Sequence, residues 1–346
     1  MNKTREGSTQ QLLQLCAGYF FAYLVTGVTV KYFTGKAELG FPGLLDAQFL
    51  VYSTFGGSLI CIAWVVLRKW WYWPDAPKGA IWYIIPSGIC TAVVIPTTTM
   101  MYMLPISIMV AQVIMRGALI VIGRTVDEIQ IRQGILHRKV YQEENTAVLF
   151  ALSAVGVQLF FEKGDFDFLN NVAAMTILSA YLTAYAIRIY TMNYYKNTRP
   201  KGAPQNNEWF FAIEQVASTI TLVLVVAALM SGLGGSSENV EIFRGAVSAP
   251  QPIWPWAAVA GSAFGIAAFF SVFLFMFKGR TATFANLVNR LTSLLAGTSS
   301  TLVFAVWFGG KYPKPQDWIS LLYILIAVVY LGLAEQRRVA ELAKTS

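Results

Sequence analysis

Residues 105–124 read PISIMVAQVIMRGALIVIGR, an apolar run with Gln112 and Arg116 at its middle. About 20 apolar residues in helix cross a hydrocarbon core of about 30 Å, so the run has the length of a membrane span. At ~1.5 Å per residue Arg116 then sits near mid-membrane. A cation at that depth costs about 2.5–3.5 kcal/mol on insertion scales, so it is expected to face a cavity or a partner. The run can be laid without gaps on residues 279–298, GRTATFANLVNRLTSLLAGT, which sets Gln112 on Asn286, Arg116 on Arg290 and Gly123 on Gly297. A helix with a buried arginine is thus written twice in the chain.

The rest of the 346 residues suits the same solvent. Hydrophobic residues make up 56% and charged residues 13%, with a mean hydropathy of +0.53, against about 25% charged in soluble domains. That composition excludes a disordered chain. The formal charge of +8 is spread between apolar runs and not gathered on one patch, which points to a membrane surface and away from nucleic acid. Ten segments reach spanning length, roughly 12–34, 46–67, 79–102, 105–124, 146–162, 170–190, 209–232, 253–277, 281–306 and 317–335. The expected fold class is therefore an all-α membrane protein of ten transmembrane helices. The polar N-terminus runs straight into the first segment without a small-residue cleavage pattern, which reads as an uncleaved first span.

One set of alternate loops, including Arg68, Arg132, Arg199 and Arg337, carries about three times as many basic residues as the other, which places both termini in the cytoplasm. Most of the ten tryptophans fall near span ends, as interfacial anchors do. A second match, at a smaller offset, lays Val30–Thr34 on Ile187–Thr191 and so span one on span six. The chain then divides into a first five-span repeat, residues 1–165, and a second, residues 166–346, within one membrane domain. Five is odd, so the second repeat enters from the opposite side: two inverted halves, as in many secondary transporters.

Arg116 and Arg290 are the candidate substrate-binding pair, because two facing cations repel and a bound phosphate or carboxylate relieves that repulsion. A planar guanidinium suits it through bidentate hydrogen bonds. Gln112 and Asn286, one turn earlier on the same faces, are candidates for the rest of a polar ligand, with a helix–helix hydrogen bond as the alternative. Lys31 and Arg188 read as interfacial anchors or as gate charges. Pro96, with Pro86, and Gly265, in the run Gly261–Gly265, mark helices able to bend or slide, or to pack closely. Glu214 is placed at the start of span seven, and the pairs Asp127-Glu128 and Glu143-Glu144 read as solvated loop charge.

The span plan, the halves and the short join at Leu104-Pro105 resemble the drug/metabolite transporter superfamily, which includes EamA-type permeases and the nucleotide-sugar and triose-phosphate transporters. The segment from Pro105 to Arg116-Gly117 is similar to the fourth span of that family. The resemblance implies that spans four and nine line a central cavity with Arg116 and Arg290 facing it. Where nucleotide-sugar transporters tend to carry a lysine in the ninth span, this chain has Asn289-Arg290.

The expected function is a secondary transporter of a small polar, anionic organic metabolite working by alternating access. The alternative is an exporter of amino acids, neutral amphiphiles or lipids with structural arginines. Cys16, Cys61 and Cys90 lie singly in apolar runs and His137 is the sole histidine, so no metal, cofactor or enzymatic centre is expected. Partners are a small-molecule substrate and membrane lipid; small-residue faces on the end helices are compatible with a homodimer. The membrane is the inner one in a bacterium and an organelle membrane otherwise.

Overall fold

Where water is absent, a backbone N–H or C=O must find its partner within the chain, and a helix satisfies that need locally. The computed structural model describes residues 8–74, 76, 79–103, 108–136, 140–161, 171–198, 205–277, 280–310 and 312–345. Among them are eleven α-helices and no strand: α1 (Thr9–Phe33), α2 (Asp46–Leu67), α3 (Ile81–Met103), α4 (Ile108–Arg132), α5 (Gln142–Phe161), α6 (Val172–Asn197), α7 (Asn207–Met230), α8 (Glu238–Ser248), α9 (Trp254–Phe275), α10 (Ala282–Phe308) and α11 (Pro315–Thr345). A 3-10 turn spans Ala37–Leu39. Polar caps set several starts: Ser8, Asn171, Asn206 and Thr281 each accept from the backbone N–H three residues on. Gly309, at φ 68°, ends α10 in the left-handed conformation that glycine adopts without penalty.

Eight of these helices, α1, α2, α3, α6, α7, α9, α10 and α11, are long and apolar enough to cross a membrane. The helices α4 and α5 have 25 and 20 residues but fall outside that set. The side chains described on α4, those of residues 115–132, include Arg116, Arg124, Asp127, Glu128 and Arg132, while those of 108–114 lie outside the described residues. The join at Leu104-Pro105, His137 and Gly279 lie outside the described residues.

Burial is arranged as lipid demands. Large apolar side chains such as Leu224, Val259, Leu322 and Val329 point outward, while Arg116, Arg188, Glu214, Asn286, Asn289 and Arg290 are buried. The expectation for tryptophan splits. Trp82, Trp256 and Trp307 are exposed, but Trp70 and Trp209 are core residues, Trp70 stacked on Phe269 at 5.7 Å.

The helices pack α2 on α9, α3 on α7, α3 on α6, α1 on α9, α1 on α10, α4 on α6, α5 on α11 and α4 on α10. At the α2–α9 crossing a Cβ at Gly56 would overlap the Ala258 carbonyl, and one at Gly261 would overlap Ser53. Two backbones can approach that closely only through glycine.

Candidate functional site

Arg116 of α4 and Arg290 of α10 both lie inside the helix bundle, each 4% exposed. Each guanidinium is laid over a tyrosine ring: Arg116 over Tyr23 of α1, 4.9 Å from the centroid, and Arg290 over Tyr185 of α6, 4.7 Å away. Cation–π contact of this kind is stronger where water is excluded. Arg116 Nη2 also donates to the Tyr23 hydroxyl, and Arg290 Nε donates to Asn286 Oδ1 at 3.2 Å. The other end of the Asn286 amide donates to the Leu119 carbonyl of α4, which ties α10 to α4. Arg290 Nη2 is buried and makes no hydrogen bond of good geometry among the described residues, the Tyr185 side chain, besides Asn286, being within hydrogen-bonding reach of the guanidinium, and no ion pair there involves Arg290.

The tyrosines come in pairs four residues apart, one helical turn. Tyr19 and Tyr23 lie 5.6 Å apart between ring centroids, Tyr181 and Tyr185 4.9 Å apart. Tyr19, Tyr181 and Tyr185 all lie within electrostatic reach of Arg290, as does Arg116. The two arginines and two tyrosine pairs thus form one polar centre on α1, α4, α6 and α10. Asn289 extends it, donating to Ser271 Oγ of α9 at 2.9 Å.

Next to that centre is a buried ion pair. Arg188 of α6 and Glu214 of α7, 4% and 0% exposed, meet through two hydrogen bonds, Nε to Oε1 at 2.9 Å and Nη2 to Oε2 at 3.1 Å. Ser87 and Thr91 of α3 donate to the same Oε1 at 2.7 and 3.3 Å. Arg188 lies 6.0 Å from the centroid of the Tyr185 ring, which it shares with Arg290.

A third polar group gathers where α10 begins. Asp127 of α4 accepts from the backbone N–H groups of Ala282 and Thr283 at 2.8 and 2.6 Å, and from the Asn193 amide at 3.3 Å. These are orphan donors of the first turn of α10, at the positive end of its dipole. Glu144 of α5 accepts from the Thr281 hydroxyl at 3.2 Å. Burial pushes the Glu144 carboxyl up to about 7, with the Thr281 bond pulling the other way and the nearby Asp127 charge adding to the rise. Burial also raises Asp127, offset by its bonds to Thr283 and Ala282.

Of the residues singled out by sequence, Arg116, Arg290 and Asn286 are brought together. The side chain of Gln112 lies outside the described residues. Lys31 is at the far end of α1, donating to Thr301 Oγ1 at 3.0 Å and lying over Phe304. Arg188 is held by Glu214, so neither residue keeps the terminal placement expected of it. Pro96 is inside α3. Gly265 belongs to the α2–α9 crossing, where Cys61 Sγ donates to its carbonyl at 3.4 Å. Asp127 and Glu144 are buried at helix ends, 0% and 4% exposed, and are not solvated loop charge. The tyrosines were missed, although Tyr19-x-x-x-Tyr23 and Tyr181-x-x-x-Tyr185-x-x-Arg188 are polar stripes at helical spacing in apolar runs.

A groove of about 790 Å³ runs between α3 and α6, lined by residues such as Cys90, Val93, Thr183 and Ile187; neither Arg116 nor Arg290 lines it.

No family model and no curated protein matches this sequence. A solved structure described as "Crystal structure of protein" is similar over 95% of this chain and 99% of its own, with a TM-score of 0.59 and 16% identity. At that identity the likeness is one of fold.

Proposed function

We propose that the chain is a secondary transporter whose two five-helix halves, inverted in the membrane, carry a small polar organic anion by alternating access. The observation that carries the reading is the buried Arg290 Nη2, without a hydrogen bond of good geometry among the described residues and within electrostatic reach of Arg116. A guanidinium in that state is a hydrogen-bond donor and a positive charge in search of an oxyanion.

Helix spacing supports the duplication. The starts of α3 and α9 are 173 residues apart, those of α4 and α10 174, and those of α5 and α11 173. Those of α1 and α6, and of α2 and α7, are 163 and 161 apart, and the 11-residue α8 is inserted between these two blocks. The tyrosine pairs are related by 162 residues and the arginines stacked on them by 174. This replaces the 157-residue register expected for the first spans, and sets Arg188 against Thr26 instead of Lys31. Exchanging the halves turns the α2–α9 packing into α7–α3, α1–α9 into α6–α3 and α1–α10 into α6–α4, all of which occur. Two similar halves give the bundle two similar arrangements of unequal opening, the basis of alternating access.

In this reading all ten long helices cross the membrane, α4 and α5 protected by the others, and both termini are cytoplasmic. The arginines bind the charged end of the cargo and the asparagines orient it; no bond is made or broken. Counterflow in proteoliposomes tests this. Anionic solutes are expected to exchange, and Arg290→Ala is expected to slow exchange at least tenfold. Movement of neutral or cationic solutes only, with Arg290→Ala fully active, overturns it. A second reading, an exporter of amino acids or amphiphiles, draws on the tyrosine and asparagine contacts that already engage both arginines. Undiminished protection of cells against toxic amino-acid analogues by Arg290→Ala favours it.

A further inference from the structure

We infer that Glu214 is a specificity-determining residue of the arginine centre: by neutralising Arg188 it sets the net charge that an anion meets at Arg290, and so the preference between singly and doubly charged ligands. The inference rests on the anion reading above. Three observations lead to it.

Arg188 is joined to the centre through one ring. Its guanidinium carbon and that of Arg290 lie 6.0 and 4.7 Å from the Tyr185 centroid, so they are at most the sum, 10.7 Å, apart. Among the described residues the charge of Arg188 is cancelled by a single carboxylate, that of Glu214. Against Glu214 stand Arg188 from α6 and, from α3, Ser87, Thr91 and the Cys90 thiol, which is within electrostatic reach of both members of the pair. The pair also breaks the likeness of the halves. At the spacing of the tyrosines Arg188 falls on Thr26, and at the spacing of α2 and α7 Glu214 falls on Ser53. A pair serving only to hold the bundle together has no need to be next to the anion centre in one half and absent from the other.

Charge arithmetic sets the size of the effect. An uncompensated unit charge about 10 Å from a ligand, at an effective dielectric near 20, is worth roughly tenfold in affinity per unit of ligand charge. With Glu214 in place that charge is offset and a dianion gains little over a monoanion from Arg188. In Glu214→Gln the offset is gone.

The substitution preserves shape and most hydrogen bonds while leaving the Arg188 charge uncompensated. Ser87, Thr91 and Arg188 Nε all bond to Oε1, which glutamine retains, whereas Arg188 Nη2 loses its acceptor Oε2 and faces an amide N–H instead. The experiment measures binding of glycerate and of glycerol phosphate to the detergent-purified full chain at about pH 8, above the second phosphate ionisation near 6. Glu214→Gln is expected to raise the ratio of glycerol phosphate to glycerate affinity about tenfold, Arg188→Gln to lower it by a similar factor, and the double variant to return it to the parent value. A ratio unchanged in whichever single variant folds overturns the inference, as does failure of both to fold, which makes the pair a structural one. Absence of binding of either anion to the parent is a different result and removes the anion reading itself.

Discussion

At the scale of single residues, the chemistry of this protein is that of charge kept out of water. The guanidinium–carboxylate pair of Arg188 and Glu214 is tolerable because its hydrogen bonds are supplied from three helices. Taking away one member leaves the other buried and unpaired, which costs about 3–5 kcal/mol. Arg188→Ala is therefore expected to lower the melting temperature in detergent far more than Ser87→Ala, which removes one donor to a charged group and costs about 1.5–3 kcal/mol. Glu144 adds a pH dependence. Its carboxyl titrates near 7 instead of near 4.5, because burial penalises the anion. The folded protein thus holds this proton more tightly than the unfolded chain. The resulting stability is fully present below about pH 4.5 and is lost as pH rises through 7, a loss on the order of 3 kcal/mol by pH 8. Melting curves between pH 5 and 8 should fall in the parent and fall less in Glu144→Gln. A parent curve that rises over that range contradicts the burial argument.

At the scale of helices, approach distance governs the packing. Gly56 and Gly261 bring α2 and α9 together so closely that the smallest side chain meets backbone atoms of the neighbour. Backbone cannot swing away as a flexible side chain can, so overpacking here costs about 1–3 kcal/mol or more. Gly261→Ala is expected to lower the melting temperature clearly, and Gly245→Ala, where a Cβ meets open space on α8, to leave it within a degree or two. The same scale explains how much could be read in advance. The length and hydropathy of α2, α7 or α9 are properties of consecutive residues and are plain in the text of the chain. Arg116 and Arg290 were legible because a charge is conspicuous in an apolar run. Tyr23 and Tyr185 were not, because tyrosine is common at membrane interfaces and its partner arginine is 93 or 105 positions away. Glu214 looked terminal because it is only about two turns inside α7 from Asn207, and its partners come from α3 and α6.

At the scale of the whole molecule, the reading of both termini as cytoplasmic makes a prediction about sidedness. The turn after α4 and the turn after α7 then lie on opposite faces. In intact cells an impermeant thiol reagent is expected to label Ser236→Cys and not Gln133→Cys, both exposed positions. The native thiols interfere little, Cys61 and Cys90 being buried and Cys16 half-buried. Labelling of Gln133→Cys alone reverses the orientation, and labelling of both or neither removes the sidedness argument. That this is a helical protein built for lipid, with two arginines placed where charge is costly, follows from composition and hydropathy alone, because the bilayer imposes its thickness and dielectric on every span separately. Which groups face those arginines, that Arg188 is neutralised by Glu214, and that Asp127 caps the first turn of α10 follow only from how the helices are arranged around one another. A buried charge declares that it needs a partner. The partner is chosen by three-dimensional proximity between segments far apart in the chain, and no local pattern records it.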